Sequence, residues 1–310
     1  MNVALDVTPL RLTRAGTARY IENLLERIDA RRIAFGDAGH AAVLVRELWW
    51  YPWRLSTLRD VDVLHCPTYY GPLRPRVPTV VTVHDLAVLR RPEWFPRWTR
   101  TYAPRVVPQM IRAATRVIAV SEFTAREVEA VLGVPPDRVR VVPNGVAAAF
   151  TPDGPRAEGD YVLAVGTLEP RKNLRRTIEA ARRLGVELRI VGDRGWGGVE
   201  PGIGWLGRVG DDELAQLYRG ARCLVYPSLY EGFGIPVAEA LACGTPVVTS
   251  RDSAMVEVAQ GKAVLVDPED VASIAAGIEQ ALGRSVGGFL PPTWDDAAAG
   301  TVAVYREAAA

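Results

Sequence analysis

Short β-branched runs bounded by turn residues alternate with longer amphipathic stretches along this chain, and that alternation limits the fold more than any other feature. A strand-like run followed by a helical stretch is the pattern of a βαβ unit, whose strands are parallel and whose crossover helices cover the sheet. Strand-like runs fall at Asn2–Val7, Val61–His65, Thr79–His84 and Arg116–Val120, and again at Tyr161–Gly166, Val186–Gly192, Arg222–Tyr226, Pro246–Thr249 and Ala263–Val266. Helical periodicity follows at Thr17–Ile28, Glu122–Leu132, Leu174–Leu184, Asp211–Tyr218 and Val271–Leu282. The pattern predicts an α/β chain made of two Rossmann-like parallel-sheet halves. Its 310 residues suffice for two domains that each bury a core. The stretch FTPDGPRAEGD, Phe150–Asp160, gathers breakers among polar residues without periodicity. It predicts a boundary that separates residues 1–152 from 153–292, with a last helix, Trp294–Arg306, after Pro291 and Pro292 in residues 293–310.

The most chemically suggestive segment is YPSLYEGFGIPVAEALACGTPVVTS, residues 226–250, where Glu231 and Glu239 stand around a glycine turn with seven residues between them. Gly232 and Gly234 let backbone N–H groups approach a ligand, with Phe233 between them and Ile235 after them. Pro236 suits the first helical position and Gly244 the residue past the end, so a helix of about two turns is predicted. Its N-terminus favours an anion such as phosphate. Glu239, in that helix's first turn, can then turn sideways to neutral hydroxyls such as those of ribose. Each glutamate alone is equally explained as a helix-start or solvated loop carboxylate.

This segment resembles the E-x7-E signature of the retaining, nucleotide-sugar-dependent glycosyltransferase family 4. GTARYIENLL from Gly16, DVLHCP from Asp62, VTVHDL from Val81, VSEFTAREV from Val120, VVPNGV from Val141, VGTLEPRKN from Val165 and VDPED from Val266 agree with that family in order. The resemblance implies the GT-B architecture: two Rossmann-like domains facing across a cleft, the N-terminal one for the acceptor and the C-terminal one for the donor, with the last helix crossing back to the first domain. It implies that Lys172 contacts the donor diphosphate, with Arg171 beside it where Thr167 replaces a common arginine, and that Gly16 brings backbone amides to the same group. It also places Arg208 and Val209 at the nucleotide base, and His84 beside the anomeric carbon with Asp85 at the acceptor. Glu231 is then read as holding the donor-sugar hydroxyls and Glu239 the ribose.

Lys172 follows a strand-like run at the start of a helix, where an ammonium can reach an anion bound at that helix end; a surface Lys-Arg pair explains it equally. His65 reads as structural. Asp60-Val61-Asp62 spells the D-x-D used by metal-dependent sugar transferases of another fold, but it precedes a strand outside the donor half and reads as chance. No cofactor is expected beyond the donor substrate, and no metal. Cys66, Cys223 and Cys243 are too few and too scattered for a disulfide framework or a zinc site.

The net charge of +1 hides an asymmetry. Residues 1–150 carry 21 Arg against 14 acidic residues, and residues 151–310 carry 16 basic against 22 acidic ones. The basic half can attract an anionic membrane surface or a phosphate-bearing acceptor; an arginine-rich solvated face is the plainer explanation. Trp49, Trp50, Tyr51 and Trp53 cluster as either core packing or an interfacial belt on lipid headgroups. No apolar run reaches the ~18 residues that span a bilayer, and MNVALDVTPL lacks the features of a signal peptide. The expected location is the cytoplasm, peripheral on the inner face of the membrane. The expected partners are a nucleotide sugar and a saccharide or lipid-linked acceptor, with no nucleic acid. The sequence thus predicts a retaining hexosyltransferase, with a lean to mannose from GDP-mannose. The alternatives are a nucleotide-sugar-binding protein without transferase activity and a GT-B epimerase.

Overall fold

Strand runs that are apolar throughout need both faces covered, and the central strands of both sheets find that setting here. The computed structural model describes residues 1–12, 16–36, 40–198, 200, 202 and 204–310, without the side chains of 40–42. The chain forms two units, Met1–Gly145 with Thr293–Ala310, and Val146–Pro292.

In the first unit β1 (Val3–Asp6), β2 (Arg31–Ile33), β3 (Val63–Cys66), β4 (Thr79–Val83), β5 (Arg116–Ala119) and β6 (Val139–Val141) make a parallel sheet in the order β2-β1-β3-β4-β5-β6. The central strands β3 and β4 are buried along their whole length. The helix Glu122–Leu132 begins where Ser121 Oγ accepts from Thr124 N at 3.0 Å and ends at Gly133 in the left-handed conformation, both cap signals legible in the sequence. The C-terminal helix Trp294–Ala309 belongs to this unit and packs Trp294, Ala297, Val304 and Tyr305 against Leu5, Tyr20 and Val80. Its Tyr305 hydroxyl reaches His65 Nδ1 at 2.7 Å, and His65 Nε2 meets Thr82 Oγ1 at 2.8 Å. Burial, and then the nearby His84, lowers the His65 pKa to about 3, so the ring is neutral and structural.

The second unit has β7 (Tyr161–Val165), β8 (Glu187–Val191), β9 (Trp205–Gly207), β10 (Leu224–Tyr226), β11 (Val247–Ser250) and β12 (Val264–Val266) in the order β12-β11-β10-β7-β8-β9. All of its strand pairs are parallel. This order seats β10 beside β7, so the loops that leave their C-terminal ends meet although about 60 residues separate them in sequence.

Several elements depart from the sequence expectation. Strands β2 (RRI), β6 (VRV) and β9 (WLG) are short edge strands in which arginine or glycine interrupts the β-branched run that would mark a strand. The helix Arg97–Ala113 carries Pro104 and Pro108 inside it. Proline costs a helix interior about 3 kcal/mol, but here Ala103, Val107, Met110 and Ile111 bury a continuous face. The polar stretch 150–160 lies within the second unit. Phe150 packs edge-on against Tyr218 at 5.8 Å, while Arg219 donates to the carbonyls of Pro155 (2.7 Å) and Thr151 (3.1 Å).

Candidate functional site

The strand-end loops of the second unit are held to each other by charge and by close backbone contact. After β7 the chain runs Gly166-Thr167-Leu168-Glu169-Pro170-Arg171-Lys172-Asn173 into the helix Leu174–Leu184. Asn173 adopts φ 58° and donates through Nδ2 to the carbonyls of Pro227 (3.0 Å) and Pro268 (2.6 Å), while Leu229 N donates to Arg171 O at 2.8 Å. On the other side Gly192, at φ +150°, lets the loop after β8 lie against Gly166; a Cβ there would sit 2.1 Å from the Gly166 carbonyl oxygen.

Within this scaffold Glu231 is the hub of a buried charge cluster. Its Oε1 accepts from Lys172 Nζ at 2.6 Å and from the Tyr226 hydroxyl at 2.9 Å, and its Oε2 accepts from Arg171 at 2.7 Å. Lys172 Nζ also donates to the Tyr226 oxygen at 2.6 Å, and Arg171 Nε pairs with Glu169 at 2.8 Å. Burial pushes the Glu231 carboxyl up, but Arg171 and Lys172 outweigh it and hold the pKa at about 2. The Lys172 pKa is lowered by burial and next by Arg171, against the pull of Glu231 and Glu169. Two adjacent cations are thus fixed on one carboxylate. That carboxylate still has room for another donor, since an ionised carboxylate offers about four acceptor positions.

Gly234, at φ +89°, precedes the helix Ile235–Ala242, and a Cβ there would sit 2.6 Å from Met255 Cγ. The helix begins at Ile235 rather than at Pro236. Glu239 is therefore its fifth residue, in the second turn and not the first. The side chain leans back toward the N-terminus as helical side chains do. Glu239 is 2% exposed, and its Oε2 accepts from the Tyr218 hydroxyl at 3.1 Å. Gly232 and Phe233 are buried in the turn.

The remaining predicted residues are placed as follows. Arg208, exposed after β9, pairs with Asp193 after β8 at 2.5 Å, and Val209 is half-buried beside it. In the first unit Gly16 is the exposed first residue of the helix Gly16–Arg27. His84 directly follows β4; its Nε2 lies 3.0 Å from the Pro67 carbonyl and its ring packs edge-on against Tyr20 at 4.9 Å. Burial lowers its pKa, against the Pro67 carbonyl. Asp85 Oδ1 accepts from Ala87 N at 2.9 Å, in the turn that leads into the short helix Ala87–Arg90. Asp60 pairs with Arg31, and Asp62 accepts from Asn2 N. Among the described residues no group of three or more His, Cys, Asp or Glu is arranged to hold a metal ion, and no helix is long and apolar enough to cross a membrane.

Sequence reasoning missed Tyr226, Glu169 and Tyr218, which read as ordinary strand, loop and helix residues. It also missed Asp6, the last residue of β1. Asp6 is fully buried, and its Oδ1 accepts from Thr8 N at 3.1 Å. Burial raises its pKa to about 6, against Thr8 and, more weakly, Trp50 and Arg46.

Comparison with known proteins shows the family of the chain. Residues 149–285 match the family model for glycosyl transferases group 1, and residues 26–150 match that for glycosyltransferase family 4. The chain is 33% identical to the O-antigen chain mannosyltransferase B of Escherichia coli, over 74% of this chain and 67% of that protein. It is 30% identical to the E. coli serotype-specific mannosyltransferase WbdA over 64% of its own length, but spans only 29% of that longer protein. In fold it matches the Anabaena protein HepE solved with UDP-glucose, with a TM-score of 0.69 and 18% identity over 99% of this chain and 95% of that one.

Proposed function

Because the chain belongs to the glycosyltransferases of GT-B fold, we propose that it is a retaining family 4 enzyme that moves a hexose from a nucleoside-diphosphate sugar to a hydroxyl of a saccharide or lipid-linked acceptor. The observation that carries this reading is the pair of partly buried cations, Lys172 and Arg171, fixed on the buried Glu231 beside the glycine turn that opens the helix Ile235–Ala242.

The chemistry follows from charge. As the bond from the anomeric carbon to the phosphate oxygen breaks, negative charge grows on the leaving diphosphate. Lys172, Arg171 and the N–H groups of the helix start stabilise it without a metal ion. The spare acceptor capacity of Glu231 takes a donor-sugar hydroxyl, and Glu239 takes the ribose hydroxyls. Arg208 and Val209 hold the base. The acceptor hydroxyl attacks the anomeric carbon from the leaving-group face, a new C–O bond forms, and its proton passes to the departing phosphate oxygen. No covalent bond to the enzyme is needed. His84 and Asp85 serve the acceptor, and a neutral His84 suits hydrogen bonding to a hydroxyl.

Mannose is the sugar the relatives' names favour, and GDP-mannose is the donor we propose for it. The protein is proposed to act in the cytoplasm at the inner face of a membrane, drawn there by its basic first half. The test is turnover with a panel of UDP-, GDP- and dTDP-sugars and a saccharide acceptor. At least one donor should turn over, and Lys172→Ala should lower kcat by on the order of 10²-fold or more. An unchanged kcat overturns the assignment, and donor binding without any turnover points to a binding protein.

A further inference from the structure

One helical stretch of the first unit buries two charged residues beside Tyr51 and Pro52 and exposes five large apolar ones. The helix His40–Val45 continues into a wider π-type helix, Arg46–Arg54. Its charged residues Arg46 and Glu47 are buried and pair at 3.3 Å, whereas Leu44, Val45, Leu48, Trp49 and Trp53 are 46–49% exposed. A helix lying between a core and water shows the opposite arrangement. The spacing i, i+1, i+4, i+5 puts the first four on one face, and the five make up more than a third of the large apolar side chains exposed among the described residues. Trp98 extends the patch. It is exposed at the start of the helix Arg97–Ala113, its Nε1 donates to the Glu47 carboxylate, and Tyr102 beneath it donates to the Glu47 carbonyl.

The exposed charged residues directly next to Trp53 and Trp98 in sequence are basic. Arg54, Arg97 and Arg100 are exposed beside Trp53 and Trp98 in sequence, and no exposed residue of 43–54 is acidic. The nearest exposed acid in sequence to Trp98, Glu93, faces Arg91 at 3.9 Å. We propose that this face rests on an anionic lipid surface, with Trp49, Trp53 and Trp98 at headgroup depth and Arg54, Arg97 and Arg100 on the lipid phosphates. The inference builds on the reading of a membrane-borne acceptor and identifies the surface that meets the membrane. Tryptophan has one apolar and one polar end and settles where hydrocarbon meets water. A stretch with aliphatic and tryptophan side chains outward and arginine at its edge is built to lie in that plane. Its inner side lies at the C-terminal end of β1, where Trp50 and Arg46 come close enough to Asp6 to oppose its raised pKa. Ligands of open α/β sheets sit at such strand ends, so a lipid-borne acceptor would be met at the edge that touches the bilayer.

The test is sedimentation of the full chain with vesicles, without donor or acceptor, so that it reads independently of transferase activity. One set of vesicles is an equal mixture of phosphatidylglycerol and phosphatidylcholine, the other phosphatidylcholine alone. Wild type should partition onto the anionic vesicles. The double variant Trp49→Ser/Trp53→Ser should bind them on the order of tenfold or more weakly, through lost apolar contact. Arg97→Gln/Arg100→Gln should lose about thirtyfold on anionic vesicles and nothing on neutral ones, and it serves as the second variant if the tryptophan pair disturbs folding. Wild type that ignores anionic vesicles, or an arginine pair that binds them undiminished, overturns the proposal. So does a tryptophan variant that leaves vesicle binding intact and changes only the mass of the lipid-free protein by light scattering, which would mark the face as a contact between copies of the chain.

Discussion

Replacing Glu231 by glutamine keeps the shape of the hub but removes its charge, leaving the partly buried Lys172 and Arg171 side by side without their shared counterion. The size of the loss follows from the carboxyl itself. Its pKa falls from 4.5 in the unfolded chain to about 2 in the folded one. Every tenfold change in proton affinity is worth about 1.4 kcal/mol, so the cluster favours the carboxylate by on the order of 3 kcal/mol. Removing one partner of a buried ion pair typically costs a similar amount. For a unit the size of residues 146–292, that corresponds to a drop in melting temperature of about 6–12 °C at pH 7. The sign fixes the pH dependence. A carboxyl with a depressed folded pKa contributes stability that is complete above about 4.5 and is lost as pH falls toward 2. The gap between wild type and Glu231→Gln should therefore narrow steadily between about pH 5 and pH 3. Differential scanning calorimetry across that range is the assay. Equal melting temperatures at pH 7, or a gap of constant size down to pH 3, would refute the reasoning. Removing Lys172 as well, in Glu231→Gln/Lys172→Met, should recover part of the loss, because it takes away a cation left without its partner.

Two further outcomes are expected. Glu239→Ala should raise the KM for the donor by about 10- to 100-fold, the scale of a hydrogen bond to a charged group, with a smaller effect on kcat; unchanged donor kinetics would remove Glu239 from the site. Asp6 has the opposite sign to Glu231. Its folded pKa of about 6 lies above the unfolded value, so wild-type stability should fall as pH rises from about 4 to 6, and Asp6→Asn should abolish that fall in a urea-denaturation series.

The sequence displayed most of the scaffold because its local signals agree with its tertiary setting. The bounds of Glu122–Leu132 and Leu174–Leu184 follow from residues placed to start or stop a helix: Ser121, Gly133 and Gly185. The edge strands β2, β6 and β9 lay below that threshold, since arginine or glycine breaks the apolar run that marked the equally short β10 and β12. In the site, Glu231, Glu239 and Lys172 could each be singled out from local context. The bond between Lys172 and Glu231 could not, because it depends on β10 lying beside β7, a fact of strand order rather than of spacing. Tyr226 was hidden for the same reason, as its hydroxyl matters only once both charges are in place. The aromatic cluster at 49–53 was ambiguous because helical twist alone divides it, sending Tyr51 into the core and Trp49 and Trp53 outward.

The central claim is that the donor diphosphate rests on Lys172 and Arg171 in the second unit. Titration calorimetry of a nucleoside-diphosphate sugar panel into wild type and Lys172→Ala tests it most directly. At least one donor should bind wild type, and should bind the variant about tenfold or more weakly, as expected for the loss of a charge-assisted contact. A donor that binds both proteins equally would contradict it.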